Sequence, residues 1–142
     1  MRYKQITTLL VGLLAVLSAN AAYVDGTVTL QNNGNNITAE ARIDDTNHKI
    51  IVGNGQNACI PQYTSGTITV PGTVKVGGTD YTVEVGQLAF RLCNSLTEVV
   101  IEEGVTTLGE FAFVGCSSLQ KVTLPQSLTS VGGGAWSQAR DY

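Results

Sequence analysis

Charge is scarce in this chain. Asp, Glu, Lys and Arg make up 13% of its 142 residues, 8 of them basic and 11 acidic. The basic residues form no cluster, and an acidic chain without a basic face is a poor nucleic-acid binder, because phosphates must be neutralised. Histidine occurs once, at His48, and no two cysteines stand at C-x-x-C spacing, so the common zinc ligand sets are missing. Nucleophile elbows, P-loops and dinucleotide fingerprints are absent as well. Nothing brings a nucleophile, a base and an oxyanion donor together in sequence. The chain therefore reads as non-catalytic, with no cofactor and no metal. Long apolar runs are also lacking: Leu9–Leu17 falls far short of the ~20 residues that cross a bilayer.

That short run has a different meaning. Arg2 and Lys4 precede it and Ala19-Asn20-Ala21 follows it, which is the order of an n-region, an apolar core and an A-x-A cleavage site. Residues 1–21 are expected to be a signal peptide cleaved after Ala21. No cysteine follows the apolar core, so a lipoprotein anchor is not expected. Both basic residues of the leader leave with it, giving 6 basic against 11 acidic residues, or a net charge of −5 from Ala22 onward. The remaining chain has the size of one domain, and a hydrophobic share of 43% argues against disorder. The three cysteines Cys59, Cys93 and Cys116 cannot form an even disulfide framework.

Residues 22–66 read as a β meander. Ile37, Ala39, Ala41 and Ile43 alternate with polar residues, which places the four on one buried face. Asn33-Gly34 marks a hairpin turn, since both residues tolerate positive φ. Asp44-Asp45-Thr46-Asn47-His48-Lys49 has the composition of a second turn, leading into Ile50–Val52. Asp44 and Asp45 with His48 could suggest acid–base chemistry, but adjacent carboxylates on a strand point to opposite faces, and the turn is the better reading. Beyond two loop-like stretches, Thr67–Pro71 is a short strand, and a hairpin turning at Gly77-Gly78-Thr79-Asp80 completes a lead-in over 67–85.

From Gly86 the chain repeats itself. Gly86, Ala89, Phe90, Cys93, Ser95, Leu96, Val99 and Thr106 recur 23 residues on as Gly109, Ala112, Phe113, Cys116, Ser118, Leu119, Val122 and Thr129. Ile101, Val105 and Leu108 recur conservatively as Leu124, Leu128 and Val131. The repeats are 86–108 and 109–131, and a partial third covers 132–142, with Trp136 at the position of Phe90 and Phe113. A unit of 23 residues cannot close its own core, so it stacks on its neighbour as a solenoid. The expected core comprises Ala89, Phe90, Cys93, Leu96, Val99 and Ile101, with their copies Ala112, Phe113, Cys116, Leu119, Val122 and Leu124. Truncating the buried Phe90 or Phe113 to Ala should cost ~3–5 kcal/mol. By its register Trp136 belongs to the core or to a cap.

The pattern closely resembles leucine-rich repeats of the BspA type, whose unit reads approximately I-G-x-x-A-F-x-x-C-x-x-L-x-x-V-x-I-P-x-x-V. The match is strong over Gly86–Trp136 and looser over Thr67–Val85. The resemblance implies a curved solenoid with its strands on one face; joined to the meander read over 22–66, the expected fold is mainly β, a short BspA-like solenoid with an N-terminal antiparallel meander as a cap. It implies an exported bacterial protein, secreted, on the cell surface or periplasmic. It also implies an adhesin-like module that binds a host or bacterial surface protein. A capping or assembly subunit, or a fragment of a longer repeat array, is the alternative.

Cys93 and Cys116 occupy one repeat position. Stacked strands lie ~4.8 Å apart, within the ~4.4–6.8 Å Cα spacing of a disulfide; the pair could equally be free thiols packed as small hydrophobes. Cys59 beside its loop is expected to be partly buried. A binding surface must come from strand residues that alternate with the core. These are Thr67 and Thr69, Glu98 and Val100, and Lys121 and Thr123. Glu98 and Lys121 should be neighbours in an exposed pair worth ~0–1 kcal/mol.

Overall fold

The computed structural model describes residues 23–139; the expected signal peptide lies outside the described residues. Among those residues there are ten β-strands and no helix. The first three are β1 (Val24–Asn32), β2 (Asn35–Asp44) and β3 (Lys49–Val52). They form the antiparallel meander that the alternation predicts, paired from Val24↔Ile43 to Asn32↔Asn35 and from Ala41↔Val52 to Asp44↔Lys49. Asn33 and Gly34 turn the first hairpin with φ of 52° and 82°, the double positive φ that suits the right-handed twist of flanking strands. The second turn is held by Asp44. Its buried carboxylate accepts the Thr46 and Asn47 N–H groups at 2.9 and 3.0 Å and the Asn47 amide at 2.8 Å.

The other strands form two parallel ladders. One runs through β4 (Gly66–Val70), β7 (Leu96–Ile101) and β9 (Lys121–Thr123), and the other through β6 (Thr79–Val85), β8 (Thr107–Leu108) and β10 (Ser130–Val131). β5 (Thr73–Val76) folds back on β6 as the expected hairpin, but the turn is Gly77-Gly78 alone, because Thr79 and Asp80 already pair with Val76 and Lys75. The meander joins the ladders. β1 pairs with β4 antiparallel at Gln31↔Thr69, and β3 pairs with β6 in parallel from Lys49↔Thr82 to Val52↔Val85. The result is one sheet of order β10-β8-β6-β3-β2-β1-β4-β7-β9.

The turns after β3, β6 and β8 stack as a third wall. Cys59 N–H donates to Ala89 O at 2.7 Å, Phe90 N–H to Ala112 O at 2.7 Å and Phe113 N–H to Ala135 O at 2.8 Å. Ala58-Cys59 thus stands in the column where Ala89-Phe90, Ala112-Phe113 and Ala135-Trp136 stand in later rungs. The segment read as loop is the first rung. It escaped the 23-residue comparison because Cys replaces Phe, and because Cys59 precedes Phe90 by 31 residues, the β5–β6 hairpin being inserted between them.

Packing explains the repeated residue types. Phe90 and Phe113 are fully buried and stack at 5.0 Å between ring centroids, and Phe113 stacks on Trp136 at 4.6 Å. The repeated glycine is set by close approach of backbones. A Cβ on Gly109 would lie 2.4 Å from Gln87 N, and one on Gly132 would lie 2.4 Å from Glu110 N. At another wall position Phe111 adopts φ of 53°, a left-handed conformation that costs a bulky residue about 1–2 kcal/mol. Its ring lies over Gly134, at whose position a Cβ would meet that ring at 2.3 Å.

One expected core residue is placed differently. Leu124 is 44% exposed, whereas Ile101 at the same repeat position is 2% exposed. Val122 is only partly buried. Among the described residues no rung lies beyond them, so the inward side chains of the last rung keep one side open. Trp136 is half-buried for the same reason. The other ten expected core residues, from Ala89 to Leu119, are 2% exposed or less.

Candidate interaction surface

The strands β4, β7 and β9 place alternate residues on opposite sides. Ile68 and Val70, and Val99 and Ile101, point into the core, and Val122 continues that row. Register then aligns the outward residues. Thr67 pairs with Glu98 and Glu98 with Lys121, while Thr69 pairs with Val100 and Val100 with Thr123. All six residues expected to bind are thereby brought together as two parallel rows across three strands. Strands lie ~4.8 Å apart, so each row presents evenly spaced side chains.

The first row is linked by charge and hydrogen bonding. Thr67 Oγ1 donates to Glu98 Oε1 at 3.2 Å, and Lys121 Nζ lies 3.7 Å from Glu98 Oε2. Lys121 is largely exposed, so the ion pair contributes little to stability and leaves the ammonium available at the rim. The second row of Thr69, Val100 and Thr123 is uncharged and offers a methyl and hydroxyl surface. The sequence did not reveal its extension: β1 brings Gln31 beside Thr69, and Gln31 donates to Asn36 on β2. Asn33 Oδ1 accepts the Thr67 N–H at 2.9 Å, and Asn32 Nδ2 donates to Thr67 O at 3.1 Å, anchoring the meander to this edge. Antiparallel pairing across more than thirty residues leaves no periodic signal, so these polar contributors carried no mark in the chain.

The groups that could suggest chemistry are engaged elsewhere. Tyr81 donates its hydroxyl to Asp45 at 2.8 Å. Burial, that hydrogen bond and the nearby carboxylates push the Tyr81 phenol up to about 12. His48 lies against the Tyr81 ring at 5.1 Å. The three cysteines are free and buried. Burial first, then the neighbouring Cys116, raises Cys93 to about 12, and burial raises Cys116 to about 12. Burial first, then the nearby Cys93, pushes Cys59 well above its ordinary value. These thiols are protonated fillers of the column. Among the described residues no group of three or more His, Cys, Asp and Glu is arranged to hold a metal ion, and no helix is long and apolar enough to cross a membrane. A shallow groove of about 370 Å³ beside Thr27, Thr38, Glu40 and Cys59 offers Glu40, whose carboxylate accepts from Asn54 at 2.7 Å.

The family described as a BspA type leucine rich repeat region (6 copies) matches residues 79–141. The repeats of this chain are BspA-type leucine-rich repeats. Two solved structures share the fold. A leucine-rich repeat protein of T. pallidum aligns with TM-score 0.57 and 24% identity over 70% of this chain. A leucine-rich cell surface protein of Faecalibacterium prausnitzii A2-165 aligns with TM-score 0.53 and 24% identity over 69%. The chain spans 42% and 26% of the lengths of those two proteins. No curated protein matches it. Within the BspA-type unit of this chain, the Ala-Phe-x-x-Cys segment builds the buried wall and the strand residues flanking Val99 and Val122 carry the outward rows.

Proposed function

We propose that this chain is an exported protein-interaction module that binds a protein of the host or of a bacterial surface, in the manner of an adhesin. The partner is held on the outward rows Thr67–Glu98–Lys121 and Thr69–Val100–Thr123. The observation that carries this reading is the in-register alignment of those six side chains on an open sheet face, continued by Gln31 of the meander. Solenoids present their extended binding surfaces on such faces. Export is supported by the leader-like residues 1–21, and the surface setting by the cell surface protein of F. prausnitzii that shares the fold. The packing of His48 against Tyr81, the engagement of Asp44 in its turn and the burial of the three thiols support a role without catalysis.

The test replaces Glu98, Val100, Lys121 and Thr123 together and measures binding to a panel of purified host and bacterial surface proteins by surface plasmon resonance. Partner binding should fall at least tenfold, which is about 1.4 kcal/mol, with circular dichroism unchanged. Binding that survives this variant but is lost when Thr27, Thr38 and Glu40 are replaced would move the site to the cap.

A further inference from the structure

We propose that the groove beside the meander is a second binding site, which takes a basic side chain of a protein partner with Glu40 as its counter-ion. The groove forms where β2 runs on past the end of β3, whose pairing with β2 stops at Ala41↔Val52. There the Glu40 N–H donates to Cys59 O at 2.9 Å, and Glu40 O accepts the Gly53 N–H at 2.7 Å. The first rung thus takes the place of β3 beside β2. It leaves a cleft of about 370 Å³ lined by Thr27, Thr38 and Glu40 of the strands and by Ala58, Ile60 and Pro61 of the rung. Clefts that hold small ligands span roughly 300–1,000 Å³, so this one suits a single long side chain.

Glu40 is positioned before any partner arrives. The Gln56 and Asn57 N–H groups donate to Asn54 Oδ1 at 2.8 and 2.9 Å, and Asn54 Nδ2 donates to Glu40 Oε1 at 2.7 Å. Oε2 takes no part in that bond. Its charge is also uncompensated. Glu84, Glu98 and Asp80 each pair with a lysine, at 3.4, 3.7 and 2.7 Å, whereas among the described residues Glu40 has no such ion pair. Arg42, two residues along β2, lies over the Tyr23 ring at 5.8 Å. Arg91 meets the first rung through its carbonyl oxygen, which accepts from Gln62 at 3.1 Å. Asp25, two residues from Thr27 along β1, adds negative charge to the same outward face.

A fixed carboxylate beside an apolar wall matches a lysine or arginine side chain, whose methylene stem covers apolar surface while its head carries the charge. The hydroxyls of Thr27 and Thr38 supply acceptors for its remaining N–H groups, and a charge-assisted bond to the carboxylate is the strong contact. The net charge of −5 expected from Ala22 onward favours the approach of a cation. That the bearer of this cation is a protein rests on the function proposed above.

The experiment is an NMR titration of the isotope-labelled exported form, expected to begin at Ala22. The probes are three capped pentapeptides, Gly-Ser-X-Ser-Gly, in which X is arginine, lysine or citrulline. The two basic peptides should shift the amide signals of Glu40, Asn54 and Cys59, and their affinity should fall as salt rises. Citrulline keeps the shape of arginine without its charge and should bind at least tenfold more weakly. Glu40→Gln, whose side-chain carbonyl still accepts from Asn54, should lose at least tenfold in affinity for arginine with unchanged circular dichroism. The four-residue strand-face variant should bind the arginine peptide as the parent does, so failure of this site and failure of the strand-face site are read separately. Citrulline binding as tightly as arginine overturns the inference. So does an affinity unchanged by Glu40→Gln, or the absence of shifts at these amides with both basic peptides.

Discussion

At the end formed by β1, β2 and β3, the meander bridges the two ladders, and Val28, Leu30, Ala39, Ala41, Ile43, Ile50 and Val52 are buried beneath it. At the other end, Leu124 and Val131 stand half in solvent, although their repeat equivalents Ile101 and Leu108 are buried. The difference is not in the side chains. In a stacked array each rung is buried by its neighbours, so an apolar position is core only where another rung covers it. The capped end supplies such a cover by turning the sheet back on itself with tight Asn-Gly and Asx turns. Among the described residues the last rung receives cover on one side only.

That contrast is broken most severely at the middle of the aromatic column. Phe113 is sandwiched between Phe90 and Trp136, so Phe113→Ala should cost about 3–5 kcal/mol in denaturant unfolding. The next largest effect compares equivalent positions. Ile101→Ala should cost about 2–5 kcal/mol, whereas Leu124→Ala should cost less than about 1 kcal/mol, because much of its side chain is already in water.

Glycines sharpen the same comparison on a smaller scale. Gly109→Ala drives a Cβ to within 2.4 Å of Gln87 backbone and should cost about 1–3 kcal/mol. Gly133→Ala meets nothing within 4 Å and should stay within about 0.5 kcal/mol of the parent protein.

The smallest effect is confined to the capped end and to acid. Burial alone would raise the Asp44 carboxyl, but the hydrogen bonds from Asn47 and Thr46 and the charge of Lys49 outweigh it and hold Asp44 below its ordinary 3.8. A carboxyl with a depressed folded-state pKa adds stability that is present above its unfolded pKa and lost as pH falls through the folded value. The melting temperature of the parent protein should therefore drop below about pH 4. Asp44→Asn should flatten part of that acid limb. An unchanged acid limb would show that the turn contributes nothing through this charge.

Much of this architecture was legible because two periods are written in the chain. The period of two in Ile37–Ile43 gave the meander face, and the 23-residue period fixed both the buried wall and the alignment of Glu98 with Lys121 and Val100 with Thr123. What stayed hidden involves backbone more than side chains. The first rung carries Cys59 at the aromatic position, and it is tied to the column by the Cys59 N–H to Ala89 O bond, which sequence does not record. The pairing of Gln31 with Thr69 joins two polar residues on separate elements, so no apolar pattern announces it. Leu124 was misplaced because a repeat pattern specifies which way a side chain points, while its burial depends on the next rung.

The central claim is that cap and repeats are one column with a single core. Guanidinium unfolding at one low protein concentration tests it with two probes, the fluorescence of Trp136 in the last rung and far-UV circular dichroism of the whole sheet. Trp136 is the chain's single tryptophan. A continuous column predicts coincident midpoints and equal slopes for the two probes. A Trp136 transition complete at denaturant concentrations where the circular dichroism still reports a folded sheet would contradict it, separating the BspA-type repeats from the meander that caps them.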